Sequence, residues 1–181
     1  KVTTTIVSRD FAKLAEARQA GLRSVTANIL SDYAVKDMEL PGFKSLIAGT
    51  PDDEVNATAA REFAHVLGRA NVYHLARTDP GHGGSARTQT APHLSARLCF
   101  QPPHTHDELH ELIERGFTMK RTRLTEEFTL DDYRERRGDE AVLMFTLKDG
   151  DVMVITPQYT VPQDGVTLIS LISLIPPDEE G

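Results

Sequence analysis

The stretch from Ser45 to Arg77 constrains the fold more than any other. Ser45–Gly49 is a short apolar run with the character of a buried strand. Thr50-Pro51-Asp52-Asp53-Glu54 then turns the chain and opens a helix. Apolar residues follow at Val55, Ala59, Ala60, Phe63, Val66 and Leu67, which is helical spacing. Gly68 stops that helix, and Asn71–Leu75 reads as a second strand from its Val and Tyr content. Strand, helix and strand within about 30 residues make a βαβ unit. Its strands must be parallel and its crossover right-handed. In such units a ligand binds beyond the carboxyl ends of the strands, so the Thr50–Glu54 loop is the expected place for a site.

The residues before this unit repeat its logic. Val2–Val7 is rich in Thr, Val and Ile and reads as a strand that ends at Ser8-Arg9-Asp10. A helix over Phe11–Ala20 follows, with Asp10 as its N-cap and Gly21 as its stop. Phe11, Leu14, Ala15 and Leu22 are its expected apolar face. Ser24–Leu30 is another short strand. Ser31 opens a weak helix that Pro41-Gly42 breaks. Alternating strand and helix over residues 1–77 is the pattern of a parallel sheet covered by helices.

From Thr78 to Pro92 the texture changes to Gly, Pro, Ser and Thr without periodicity, the composition of a linker or loop. Gly81-His82-Gly83-Gly84 resembles a phosphate loop superficially, but no helical pattern follows it. The second half is of another kind. Ser95–Phe100 is a candidate short strand. Thr105 caps a helix over His106–Arg115, with Asp107 and Glu108 in its first turn and Leu109, Leu112 and Ile113 as its apolar face. Phe117–Leu124 is a strand, and Thr129–Asp132 opens a short helix that ends at Gly138. Ala141–Leu147 and Val152–Thr156 form a hairpin about Asp149-Gly150. The last strand, Val166–Ile175, is apolar on both faces and should be central. The expected division is therefore a lobe over 1–77, a linker over 78–97 and a module over 98–181.

Charge and motifs narrow the function. A net charge of -7 over 181 residues argues against nucleic-acid binding, which needs a basic face. It also argues against adsorption to anionic lipid. The single cysteine, Cys99, permits no internal disulfide, favours a reducing compartment and reads as core. No run approaches the ~20 apolar residues that cross a bilayer. The chain lacks an initiating Met and enters a β-like run at once, so we read it as a piece of a longer polypeptide. His104, His106 and His110 carry a spacing open to metal, but neither H-E-x-x-H nor H-x-H-x-D-H is present, and a polar helix start after Pro102-Pro103 accounts for them. Asp53 and Glu54 suit a helix start, while Asp52 could cap the helix and still face a ligand. Arg121 and Arg123 share one strand face with Lys120 opposite, as on a solvated edge. No G-x-S-x-G elbow or Cys/His pairing is present.

The stretches Ala15–Leu22, Ala27–Ser31, Gly49–Asn56 running on to Val72–Leu75, Arg121–Phe128 and Asp164–Ile169 resemble the cytosolic tail of bacterial sodium/proton antiporters of the cation:proton antiporter-1 type, which carries a TrkA-N (RCK-like) Rossmann domain. The run Thr50-Pro51-Asp52-Asp53-Glu54-Val55-Asn56 is the most specific. The resemblance implies an α/β fold: a truncated Rossmann-like parallel sheet in the N-terminal half, then a small α+β, β-rich module. It also implies one more strand and helix in front, carrying a glycine-rich phosphate turn. Where the family has an acidic residue for ribose, this chain has Ser8 followed by Arg9, so nucleotide binding is lost or Arg9 meets a phosphate. Asn28 matches a position against adenine, and Thr50 and Asp52 match the loop beside the nucleotide.

The implied function is non-catalytic regulation of transport, with a nucleotide sensed or a dimer formed at the cytoplasmic face of the inner membrane. The implied ligand is an adenine nucleotide or NAD(H), or none. The implied partners are the membrane-embedded antiporter domain of the same polypeptide and a second copy. Two other readings compete: a nucleotide-dependent oxidoreductase and a purely structural dimerisation module.

Overall fold

The computed structural model describes residues 3–31, 42–78 and 96–174, with the side chain of Asp139 left out. The expected helix after Ser31 and the Gly81–Gly84 loop lie outside the described residues.

The first unit is β1 (Thr5–Ser8), α1 (Phe11–Gln19) and β2 (Arg23–Thr26). The strands pair in parallel, with Ser8 opposite Thr26. Asp10 starts α1 by accepting the amides of Ala12 and Lys13 on its carboxylate. At the other end, Gly21 N–H donates to Arg18 and Leu22 N–H to Ala17. Gly21 has φ +75, the left-handed conformation that closes a helix in this way. The buried face of α1 differs from the expected one. Leu14 and Ala17 are buried, whereas Phe11 is 72% exposed, and Ala15 and Leu22 are exposed as well. Among the described elements α1 packs mainly on β1 and β2, and two short strands shield only one i, i+3 pair.

The second unit is β3 (Leu46–Ala48), α2 (Asp53–Leu67) and β4 (Val72–His74), with a 3-10 turn over Arg69–Asn71 that takes Asn71 from the expected strand. β5 (Arg97–Leu98) adds to β4, and the sheet order β3-β4-β5 is parallel throughout. Asn56, Ala59, Ala60 and Phe63 form the buried stripe of α2. Phe63, Ala60 and Val72 form a small core onto which Leu46, Ala96 and Ile29 also pack. Ile29, just past β2, thereby reaches α2.

The third unit is α3 (His106–Glu114), β6 (Thr118–Arg123), α4 (Leu130–Arg137), β7 (Val142–Lys148), β8 (Asp151–Val154) and β9 (Thr167–Ile172). Its four strands form an antiparallel sheet in the order β6-β9-β7-β8. Asp149 (φ +51) and Gly150 (φ +89) make the two-residue hairpin between β7 and β8, the turn that matches strand twist. β9 is central, as its composition predicts, and its residues alternate between two cores. Leu168 and Ile172 join Leu124, Leu130, Tyr133, Leu143 and Ile155 on one face. Leu171 joins Val142, Val154, Phe117, Cys99, Phe100, Tyr73 and Leu75 on the other. The second core therefore contains residues of both the parallel and the antiparallel sheet. Lys120, Arg121 and Arg123 are exposed on β6, an edge strand, as a solvated edge requires.

Candidate functional site

The five residues singled out from the sequence lie where parallel strands end. Ser8 is the last residue of β1. Its hydroxyl accepts the Asp10 amide at 3.0 Å, and its carbonyl accepts the Ala27 amide at 3.2 Å. Arg9, exposed, is the only cation among the five. Asn28 follows β2 and is also exposed. Its Oδ1 accepts the Leu30 amide at 3.1 Å, and its carbonyl accepts Ser31 N–H and Oγ–H at 2.9 and 2.8 Å. The Asn28 side chain thus builds its own turn, a habit of Asn in loops. Because β1 and β2 are in parallel register, Ser8 and Asn28 share one end of that strand pair.

Thr50 and Asp52 occupy the equivalent end of β3. Asp52 Oδ1 accepts the Glu54 and Val55 amides at 2.9 and 3.1 Å, which makes it the N-cap of α2. Thr50 is held by Asn56 at three points. Asn56 Oδ1 accepts Thr50 N–H and Thr50 Oγ–H, both at 2.8 Å, and Asn56 Nδ2 donates to the Thr50 carbonyl at 2.7 Å. The Asp52 amide donates to Thr50 Oγ at 3.3 Å. Asp53 Oδ2 accepts the Thr78 amide at 2.9 Å and so ties the segment after β4 to the same turn.

This geometry sorts the candidates. The Thr50 hydroxyl and one Asp52 oxygen work inside the loop, so they set its shape. Arg9 and Asn28 are exposed. No hydrogen bond joins the Ser8–Asn28 pair to the Thr50–Asp52 loop among the described residues. The residue that sequence reasoning passed over is Asn56. Its signal was present: a polar side chain on the stripe of Ala59, Ala60 and Phe63, 5% exposed, had to find partners.

The histidines engage separate groups. His104 Nδ1 lies 2.9 Å from the Pro102 carbonyl, His106 pairs with Asp107 at 3.0 Å, and His110 lies 3.4 Å from Glu114. The His106 and His110 rings stack with centroids 6.3 Å apart. Among the described residues no set of three His, Cys, Asp or Glu side chains is arranged to hold a metal. Burial pushes the Cys99 thiol up to about 12, and its Sγ–H donates to the His74 carbonyl, so it is an unreactive core group. Glu108 sits below the ordinary carboxylate range because it accepts the Thr105 amide in a capping box. Asp132 is lowered by the Thr129 hydroxyl and amide in the same way. Burial raises Tyr133, whose hydroxyl bonds to Ser170 between α4 and β9.

The strands define an α/β protein: parallel βαβ units followed by a β-rich antiparallel sheet. No helix among the described residues is long and apolar enough to cross a membrane. No family model matches the chain, and no curated protein matches it. Among solved structures, it is similar to the "GsuK Channel" at 13% identity and a TM-score of 0.40, covering 95% of this chain and 33% of that one. It is similar to the "GsuK channel bound to NAD" at 13% identity and a TM-score of 0.36, covering 96% and 37%. The "Crystal Structure of the GsuK RCK domain" gives 14% identity and a TM-score of 0.33, covering 94% and 43%. The chain thus spans less than half the length of each of these neighbours.

Proposed function

We propose that the chain is an RCK-like (TrkA-N) regulatory domain, working on the cytosolic side of a cation transport protein. The transporter we favour is a sodium/proton antiporter whose membrane-embedded part belongs to the same polypeptide. An adenine nucleotide or NAD(H) binds at the carboxyl ends of β1, β2 and β3. Arg9 meets a phosphate beside Ser8, Asn28 lies against the base, and the Thr50–Asp52 turn borders the ligand. Regulation follows if the ligand binds one state of the transporter more tightly than the other. The role requires no proton-transfer residue.

The observation that carries this reading is the turn between β3 and α2. The run Thr50–Asn56, the most specific part of the family resemblance, forms that turn at the end of a parallel strand. Such ends are where ligands bind in sheets of this kind.

A thermal-shift screen with AMP, ADP, ATP, NAD and NADP tests it, using the 181-residue chain and a polypeptide extended upstream of Lys1. A ligand at about 100 times its Kd adds about 2.7 kcal/mol to the folded state. Asn28→Ala should weaken that response, read as the ligand-induced shift from each protein's own melting temperature because the substitution also removes the bond from the Leu30 amide. A response confined to the longer polypeptide assigns the phosphate turn to the added segment. No response from either overturns the nucleotide reading.

A second reading, a dimerisation module, has its own observation. Among the described strands β1 pairs only with β2, and β3 pairs on one side only, with β4. Open strand edges of this kind accept a further strand. Sedimentation that shows a concentration-dependent dimer, together with no ligand response, would favour it.

A further inference from the structure

Among the described strands β6 is an edge, hydrogen-bonded to β9 on one side only. It runs antiparallel to β9, with Thr118 opposite Ile172 and Arg123 opposite Thr167. Leu124 continues that register, and its amide donates to the Val166 carbonyl at 2.8 Å. Residues of an antiparallel pair alternate between bonded and unbonded positions. Thr122, Lys120 and Thr118 therefore turn their backbone groups toward β9, as Leu124 does. Met119, Arg121 and Arg123 turn theirs toward the open side. Their amides and carbonyls are a template for a further strand.

The side chains select which strand is accepted. Met119, Arg121 and Arg123 share one face of β6, and Lys120 lies on the other. The three cations are exposed, and so is Met119, by 49%. Among the described residues no carboxylate pairs with Lys120, Arg121 or Arg123. Charges on an edge ordinarily keep strands apart. Here they all carry one sign, in a chain whose net charge is -7. Two copies of β6 paired about a twofold axis at Arg121 would set Arg121 against its own copy, and like charges directly opposite destabilise a pair. The edge thus rejects itself and fits a strand of opposite charge. We propose that β6 docks an extended acidic segment of a partner protein, which adds a strand to the antiparallel sheet.

The register specifies the partner's pattern. In a segment antiparallel to β6, the residues opposite Arg123 and Arg121 are acidic, and the residue opposite Met119 is apolar. A carboxylate opposite Lys120 adds a pair on the other face. The partner therefore reads acidic, any, acidic, acidic, apolar. Main-chain bonds hold the segment, and the two guanidinium forks, which match a carboxylate at two points, choose acid over neutral side chains. The opposite edge of the sheet does not compete. It is β8, which carries the acidic Asp151, already tied to Lys44 at 2.9 Å.

The test uses the whole 181-residue chain and a labelled peptide, Glu-Val-Glu-Glu-Leu-Thr, that follows this pattern. Fluorescence anisotropy should show binding that weakens as salt rises. Arg121→Glu combined with Arg123→Glu should weaken it about tenfold or more. With the unmodified chain, peptide at about ten times its Kd should slow hydrogen exchange about tenfold at the amides of Met119, Arg121 and Arg123. Lys120 and Thr122, already bonded to β9, should not change. The same peptide methylated on the backbone nitrogen of its third residue, which faces Arg121, should lose its binding. Equal binding of the methylated peptide would reduce the contact to charge alone and overturns the proposal. No binding of the unmethylated peptide overturns it too. So does protection of the same three amides when the chain alone is concentrated, which gives the edge to a second copy. The methylated peptide and the exchange pattern are read on the unmodified protein, so they decide even if the double variant fails to fold.

Discussion

The β1–α1–β2 unit and the four-stranded antiparallel sheet are held together in opposite ways. In the first unit every strand residue is half-buried or exposed, and α1 buries only Leu14 and Ala17. Its order comes from local devices: the Asp10 cap, the Gly21 closure and the Asn28 turn. In the antiparallel sheet, β9 is paired on both sides and feeds a core on each face. Buried hydroxyls are satisfied across long sequence separations, as between Tyr133 and Ser170. A region with few buried apolar contacts opens at lower free energy than a doubly covered sheet. The β1–α1–β2 unit should therefore open at lower free energy than the antiparallel sheet.

Five substitutions would break or sharpen this contrast. The largest effect is expected from Leu168→Ala, which empties a fully buried position in β9. It should cost about 3 kcal/mol and lower the urea midpoint of the whole antiparallel sheet. Leu14→Ala, equally buried, should instead raise hydrogen exchange in β1, α1 and β2 and leave β9 protected. If Leu14→Ala unprotects β9 to the same degree, the two regions are one cooperative unit and the contrast fails.

Asn56→Ala is expected next. It removes three bonds to Thr50 and strands a part-buried amide and carbonyl, at a cost of about 2 kcal/mol in chemical denaturation. Its exchange signature should stay within residues 50–56, because α2 keeps the Asp52 cap. Protection lost along all of α2 would mean that Asn56 supports the helix and not the loop.

Thr105→Ala should have the smallest effect, about 1 kcal/mol, from the loss of a capping box. The pH dependence gives the sign. Glu108 is lowered by the Thr105 amide, so its contribution is present above its unfolded value, about 4.3, and is lost as pH falls through the lower folded one. Because Thr105→Ala keeps the backbone amide that Glu108 accepts, the acid-side test is Glu108→Gln, in which the acid-side loss of melting temperature should shrink; an unchanged acid limb would detach Glu108 from the cap.

Local signals made much of the fold legible in advance. The periodicity of Val55–Leu67, the caps at Asp10, Asp52 and Thr105, and Asp149-Gly150 act within a few residues of where they are written, so a reader of the chain can find them. β9 announced its central place because apolar residues ran on both sides of its pleat. The face of α1 was misread because Phe11 and Leu22 are apolar but lie where no described element covers them. Spacing states which residues share a face, not whether anything packs there. The candidate site divided along the same line. The place of Thr50 and Asp52 in the turn was legible in the sequence, but the hold on Thr50 depends on Asn56 returning one helical turn later to bond its backbone.

By itself, then, the sequence determined the parallel units, the helix ends and the hairpin, since short-range sterics and hydrogen bonding decide these. Only the tertiary structure decided the strand order β6-β9-β7-β8, the core shared by Tyr73 and Leu171, and the Ala96 carbonyl that meets the ring of His74. Those arrangements bring together residues far apart in the chain, and their energies exist only once the chain has closed on itself.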